Sequence, residues 1–266
     1  MSETLRFDAR EKAELAERGF VLRRGVFDAA ELHEIANACE ALVQRLLAEE
    51  RRTKHSLGSY MFELQRKLET IVKWEPGHPD LVQGVEPFAH LNEELHRCAL
   101  DRRFLEPCKD VVGEEEVILF TEKLNLKRAH KGGPIILHQD FPYWADQTAA
   151  ASRVATAMLF LDDATAENGC LEVVPGSHRE GVQKRRAVEG LGAMEIDTAK
   201  YDHSRLVQLP VQAGAVVFFG PFLVHRSMPN RSRADRRALL YSYQPAGFAH
   251  LRDLTWRPRA ADGAHG

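Results

Sequence analysis

His138, Asp140 and His225 are the residues of this chain whose types and spacing suit transition-metal chemistry. The first two lie in "GGPIILHQDFPYW" (132–144), where an apolar run reads as a strand ending in a histidine and an aspartate separated by one glutamine. Successive side chains of a strand alternate faces, so His138 and Asp140 share one face and Gln139 takes the other. An imidazole nitrogen and a carboxylate oxygen that converge in this way supply two donors of a 2-His-1-carboxylate facial set. That set leaves open positions on non-haem Fe(II). An isolated H-x-D is more often a pair of ordinary polar residues, so a third donor has to be found.

Downstream stand His178, His203, His225, His250 and His265. Only His225 closes a strongly apolar run, "VVFFGPFLVH", which predicts a buried strand delivering the imidazole to one mouth of a β core. His178 follows the Pro175-Gly176 turn and reads as a turn residue or a neighbour of the site, while His203 and His265 stand in polar, exposed surroundings. After His225 comes the turn-rich "RSMPNRSRAD" and a strand that starts at Arg236. A hairpin of that length returns Arg236 beside His225. Its planar fork suits a carboxylate, such as the far end of a dicarboxylate cosubstrate that chelates iron through its other end. A surface salt bridge is the competing reading, with Arg233 and Arg237 close by.

The elements that must position these residues fall into two halves. Asp28 and Glu31 form a capping box, and Leu32, Ile35, Cys39, Leu42, Val43 and Leu46 recur at helical spacing, which predicts a helix to about Glu50. Before it "GFVLRR" (19–24) reads as a short strand, and after it "PFAHLNEELHRCAL" (87–100) reads as a helix. The first part, about 1–115, is expected to be mainly helical. From about 116 to 250 the chain turns to strands such as "EVILFTEKLNLK", "RVATAMLFLDD" and "RRALLYSYQ", bounded by turn signals at Asn168-Gly169 and Pro175-Gly176. Many short strands predict a sandwich or closed barrel with the helices packed outside it. No repeat or linker divides residues 1–266, so a single domain is expected.

Composition narrows the function. The 36 basic and 39 acidic residues leave a net charge of −3, against an electrostatic nucleic-acid or anionic-membrane binder. The runs "KRR" (184–186) and "RSRADRR" (231–237) are short enough to be solvated loops. No apolar stretch reaches the roughly 18 residues of a membrane span, and the charged start lacks the apolar core of a secretory signal, so a cytoplasmic protein is expected. Cys39, Cys98, Cys108 and Cys170 show no C-x-x-C pairing and read as reduced, mostly buried thiols.

Three ordered segments, "HQD" followed by Tyr143-Trp144, "LFLDDATAENGCLEVVPGSHREG" and "GAVVFFGPFLVHRSMPNRSRADRRALLYSY", resemble the phytanoyl-CoA dioxygenase family of Fe(II)- and 2-oxoglutarate-dependent oxygenases. "RGFVLRRGVFDAAEL" is similar to that family's entry segment, so the resemblance spans most of 18–244. It implies an α+β fold with a mainly β core, a double-stranded β-helix (jelly roll, cupin-like) buttressed by N-terminal helices. It also implies that His138, Asp140 and His225 are iron ligands, and that Arg236 pairs with the far carboxylate of 2-oxoglutarate. Ser227, Thr156 and Asn125 fall where relatives make cosubstrate contacts. The implied reaction consumes 2-oxoglutarate and O2, releases succinate and CO2, and hydroxylates an aliphatic C–H of a small-molecule or acyl substrate. Desaturation and ring closure are related outcomes. Phe141, Tyr143 and Trp144 are expected to wall the substrate side, with core packing as the alternative. Residues 51–115 and 183–205 diverge most and are expected to hold substrate identity.

Two readings compete. Two histidines and a carboxylate also hold catalytic zinc in hydrolases, but zinc hydrolysis does not need Arg236 opposite the metal, and "HEIAN" at His33 fails the H-E-x-x-H pattern. A non-catalytic jelly roll whose metal organises a ligand pocket is the other. Nucleophile-elbow, Walker-loop and dinucleotide motifs are absent from the sequence.

Overall fold

The computed structural model describes residues 5–49, 54–57, 60–188, 192–198 and 201–256. Helix α1 (Ala9–Arg18) starts at a capping box of Asp8 and Glu11 and leads into strand β1 (Phe20–Arg23). Helix α2 (Ala29–Ala48) has the expected second box: Asp28 accepts from the Ala30 and Glu31 amides, and Glu31 accepts from the Asp28 amide. Its buried face carries the six residues read from the sequence together with Ala36 and Ala38.

The following segment departs from the mainly helical expectation. It forms β2 (His55–Leu57), β3 (Tyr60–Gln65), β4 (Thr70–Glu75) and β5 (His78–Glu86), successive antiparallel neighbours. Charged residues on buried faces hide the alternation: Glu63 is fully buried because it accepts from Trp74 Nε1 at 3.1 Å and Gln65 Nε2 at 3.2 Å. Helices α3 (Glu93–Ala99) and α4 (Arg102–Val112) follow, capped by Asn92 and Asp101. The helix expected over 87–100 therefore begins only at Glu93, where the Asn92 side chain accepts from the Leu95 amide.

The second half supplies β6 (Val117–Lys127), β7 (Ile135–His138), the short helix α5 (Phe141–Trp144), β8 (Ala155–Phe160) and β9 (Leu171–Val173). Strands β10 (Arg185–Val188) and β11 (Gly192–Ile196) pair with each other. The chain continues through β12 (Val207–Leu209), β13 (Val216–Phe219), β14 (His225–Ser227), β15 (Arg236–Pro245) and α6 (Leu251–Trp256). A nine-stranded sheet runs β1-β13-β8-β15-β6-β5-β4-β3-β2, and a four-stranded sheet, β12-β9-β14-β7, packs against part of it. Together they make the jelly roll.

Strands β8 and β13 are buried on both faces of the large sheet, which explains why β13 reads as an unbroken apolar run and β8 as one broken only by Thr156. Outward, Leu239, Tyr241 and Tyr243 pack under the helices, and the tyrosine hydroxyls donate to Leu95 O at 3.0 Å and Ala99 O at 2.8 Å. Inward, Met158, Phe160, Val217, Phe219 and Ala238 meet Leu171, Val173 and Leu223. Arg236, Ala238 and Leu240 of β15 and Lys127, Asn125 and Lys123 of β6 are cross-strand partners on this inner face.

Candidate metal centre

His138 is the last residue of β7, and Asp140 lies beyond it in a helical conformation (φ −73°, ψ −32°) at the start of α5. The two side chains therefore converge because the strand breaks into a helical turn, and not by strand alternation as expected from the sequence. Nε2 of His138 stands 3.6 Å from Oδ1 of Asp140. His225 is placed differently from expectation too. The apolar run before it is cut at Gly220-Pro221, so β13 ends at Phe219 in the large sheet and His225 opens β14 in the small one. There His225 is the direct cross-strand partner of His138, and the rings lie 4.2 Å apart.

The potential ligand atoms of His138, Asp140 and His225 all lie within 4.8 Å of one another, the only such group of three or more among the described residues. Each imidazole is oriented by its own backbone: Nδ1 of His138 is 2.7 Å from Ile136 O, and Nδ1 of His225 is 3.0 Å from Leu223 O. A carbonyl only accepts, so in the neutral ring Nδ1 carries the hydrogen and the Nε2 lone pair is left for a metal. Burial and the neighbouring His138 push the His225 imidazole down to about 4. Burial pushes the Asp140 carboxyl up, but His138 and His225 outweigh it and hold it at about 2. Asp140 is thus ionised and His225 neutral at neutral pH.

Arg236 lies on the inner face of the large sheet, over the Phe160 ring. The loop after β14 is a crossover between sheets and not the expected hairpin: β15 pairs with β6 and β8, while β14 pairs with β7 and β9. Arg236 is fully buried, and none of its three guanidinium nitrogens has a hydrogen-bond partner. Burial pushes it down to about 10, which still leaves it charged at neutral pH. An unpaired buried cation costs several kcal/mol unless an anion joins it. Ser227 Oγ is likewise buried and unpartnered. These orphaned groups suit a carboxylate and fit an organic acid bound inside the jelly roll.

The remaining site residues separate. Thr156 is buried on the inner face, with Oγ1 2.9 Å from Ser242 Oγ, and Asn125 lies on β6 opposite Ala238. Tyr143 meets the His138 ring edge-on at 5.8 Å. Phe141 stacks on Phe222 at 4.7 Å, and Trp144 packs with Phe120, Ala151 and Val154, so both belong to apolar clusters. His178 contacts Ala16 O, and His203 contacts Thr198 O, away from the triad. His250 pairs with Glu122, and His265 lies outside the described residues. The sequence reading passed over the lysines. Lys127, the cross-strand partner of Arg236, is buried and donates to Met228 O and Gly133 O; burial, with Arg236 beside it, pushes it down to about 6. Lys123 lies two residues beyond Asn125 on the same face, a signal present in the spacing K-x-N-x-K.

Histidine pairs and a carboxylate converging inside a jelly roll define a class of mononuclear-metal proteins. Within it, this chain belongs to the phytanoyl-CoA dioxygenase family (PhyH), whose pattern residues 15–238 match. It is 32% identical over 145 residues to L-proline trans-4-hydroxylase of Streptomyces griseoviridis, covering 48% of this chain and 54% of that one. It is 30% identical over 146 residues to methylphosphonate hydroxylase of Gimesia maris, covering 55% and 52%. The chain thus spans about half the length of each of these relatives. Its fold is similar to EctD from S. alaskensis crystallised with 2-oxoglutarate and 5-hydroxyectoine, with TM-score 0.70 at 21% identity over 92% of this chain and 78% of that one. It is also similar to the epimerase SnoN in complex with Fe3+, alpha ketoglutarate and nogalamycin RO, with TM-score 0.66 at 22% identity over 97% and 91%.

Proposed function

We propose that this protein is an Fe(II)- and 2-oxoglutarate-dependent dioxygenase that hydroxylates an aliphatic C–H of a small molecule. The observation that carries the reading is the fully buried Arg236, without a hydrogen-bond partner on the inner face of the large sheet, in a jelly roll whose small sheet carries His138 and His225 with Asp140 next to them. Those three residues would hold Fe(II), which with 2-oxoglutarate and O2 supplies the oxidising chemistry and leaves succinate, CO2 and a hydroxylated product. The protein's own part is to bind, orient and shield. Arg236 is placed to take the far carboxylate of 2-oxoglutarate as a bidentate fork, with Ser227 Oγ as a further donor. Ile136 O and Leu223 O keep the two imidazoles in the ligating tautomer. Tyr143 closes one side of His138.

A zinc hydrolase has no use for a cation buried at this point, and a binding module needs no second carboxylate site beside its metal. Relatives named for proline and methylphosphonate hydroxylation support a small charged substrate. We read residues 1–266 as one catalytic domain, since the large sheet draws strands from both halves of the chain. We place it in the cytoplasm, without nucleic-acid or membrane partners; the four cysteines are buried free thiols, and no helix of the described residues is long and apolar enough to cross a membrane. The test is conversion of 2-oxoglutarate to succinate under Fe(II), with acyl thioesters, amino-acid derivatives and phosphonates offered and products weighed for a gain of one oxygen. Absence of succinate with every compound would leave the binding-module reading in its place.

A further inference from the structure

We propose that Gln139 and Ser177 are positioning residues of the metal centre, which fix the peptides that orient His225. The inference rests on reading His138, Asp140 and His225 as a metal site and deepens that reading. The two imidazoles are held by different kinds of backbone. His138 meets Ile136 O, a carbonyl inside strand β7, whereas His225 meets Leu223 O, which precedes the first residue of β14. The direction of that second carbonyl is therefore set by the loop from Gly220 to Val224.

Two buried side chains hold this loop on consecutive peptides. Gln139 Nε2 donates to Phe222 O at 2.6 Å, which fixes the peptide joining Phe222 to Leu223. Ser177 Oγ accepts from the Val224 amide at 2.9 Å, which fixes the next peptide, the one that carries Leu223 O. Gln139 is 1% exposed and Ser177 is fully buried, so rotating either peptide leaves a polar group unpaired away from water. The backbone reinforces the arrangement. The Phe141 amide donates to Pro221 O at 3.0 Å, and the Phe141 ring stacks on Phe222.

Gln139 is itself locked. Its Nε2 also donates to Gly181 O at 2.9 Å, and its Oε1 accepts from the Gln183 amide at 2.9 Å. A carbonyl only accepts and a backbone amide only donates, so the side-chain amide cannot flip without setting like against like. Gly181 and Gln183 follow directly on the short helical turn Ser177–Glu180, which ties both positioning residues to one segment. The residue between the first two ligands thus grips the loop that delivers the third. With its amide spent on the backbone, Gln139 acts through His225: Leu223 O holds the hydrogen on Nδ1, and Nε2 keeps its lone pair for the metal.

The experiment compares the full chain as parent, Gln139→Met, Ser177→Ala and Tyr241→Phe, stripped of metal and carrying nitrogen-15 in its histidine rings. Long-range proton–nitrogen spectra at neutral pH report which ring nitrogen bears the hydrogen, with the two rings assigned from His138→Ala and His225→Ala. Mn(II) affinity is measured in parallel by electron paramagnetic resonance. Gln139→Met keeps length and bulk but removes the donor and acceptor. Tyr241→Phe is the control, because it removes a buried hydrogen bond, to Leu95 O, on the helical side of the large sheet. Gln139→Met and Ser177→Ala should each shift the His225 hydrogen toward Nε2 and weaken Mn(II) at least fivefold, while the His138 tautomer stays as in the parent. Loss of the partners that orient a ligand typically costs about 10–100-fold in metal affinity. Tyr241→Phe should match the parent in both readouts. A residue's role is overturned if its folded variant keeps the parent's His225 tautomer or weakens Mn(II) by less than fivefold, since the side chain then only packs. The proposal as a whole is overturned if Tyr241→Phe weakens Mn(II) equally, since the loss then follows general stability. If one variant fails to fold, the other decides. A parent that binds no Mn(II) overturns the metal centre and this proposal with it. Failure of the oxygenase reading looks different: the parent and variants follow the expected pattern, yet no compound supports conversion of 2-oxoglutarate.

Discussion

Arg236 and Arg237 are adjacent in sequence and opposite in role, because a strand turns successive side chains to opposite faces. Arg236 points inward without a partner, whereas Arg237 forks onto both oxygens of Asp162 and reaches Glu40 on the helical side. Removing a buried charge from its anion costs about 2–5 kcal/mol, or roughly 30- to several-thousand-fold in affinity. Arg236→Leu should therefore raise the 2-oxoglutarate dissociation constant at least tenfold and leave metal content unchanged. Arg236→Lys should recover part of the loss, since an ammonium keeps charge but not the fork. Arg237→Leu should bind 2-oxoglutarate like the parent. Equilibrium titration of all three settles the register, and the reverse pattern would sink it. His225→Ala should lose metal at equilibrium dialysis. Asp140→Gly should lose hydroxylation by orders of magnitude while 2-oxoglutarate still binds through Arg236; near-normal product from that variant would make Asp140 a bystander.

Strand β6 arrays Lys123, Asn125 and Lys127 on one face, and the last of these carries a pH signature. Lys127 titrates at about 6 in the folded protein, against about 10.4 in an unfolded chain. Between those values the unfolded chain binds the extra proton, so stability rises with pH by up to about 1.4 kcal/mol per unit. The contribution is complete above the unfolded value and is lost as pH falls through the folded one. Lys127→Met should flatten the rise of the thermal midpoint from pH 7 to 9, and identical slopes in variant and parent would show that Lys127 is charged when folded. The same lysine ties the loop after β14, through Met228 O, against Gly169. Gly169 has φ +77°, and a Cβ on it would lie 2.1 Å from Met228 O. Gly169→Ala should cost about 1–3 kcal/mol in denaturant unfolding and weaken N-oxalylglycine binding, because Ser227 and Met228 must shift.

At the scale of the molecule, the site is a bridge between two sheets. His138 and His225 belong to the small sheet and Arg236 to the large one, so metal and cosubstrate together should clamp the jelly roll. A ligand at a hundred times its dissociation constant adds about 2.7 kcal/mol to stability. For a chain of this size the thermal midpoint should rise on the order of 5 °C with Mn(II) plus N-oxalylglycine, and chelation should reverse it. The N-oxalylglycine increment should vanish in Arg236→Leu while the metal increment remains. Equal increments in that variant would place the cosubstrate elsewhere.

The helix α2 and its capping box, the strands that follow residue 116, and the three candidate metal donors are legible in the sequence itself. Each depends on local periodicity or on residue chemistry at short spacing. What the tertiary structure alone decided is how those residues meet. The turn that swings Asp140 back to His138, the break at Gly220-Pro221 that moves His225 into the other sheet, and the crossover that carries Arg236 into the large sheet all depend on which strands pair across the fold. The strands between His55 and Glu86 were hidden for a related reason. Glu63 and Glu75 interrupt the apolar alternation of those strands, and Trp74, Gln83 and Gly133, across a turn or distant in sequence, supply the donors that let them be buried. Pairing partners far apart in the chain leave no periodic trace, and burial of a charge becomes favourable only once its partner is in place.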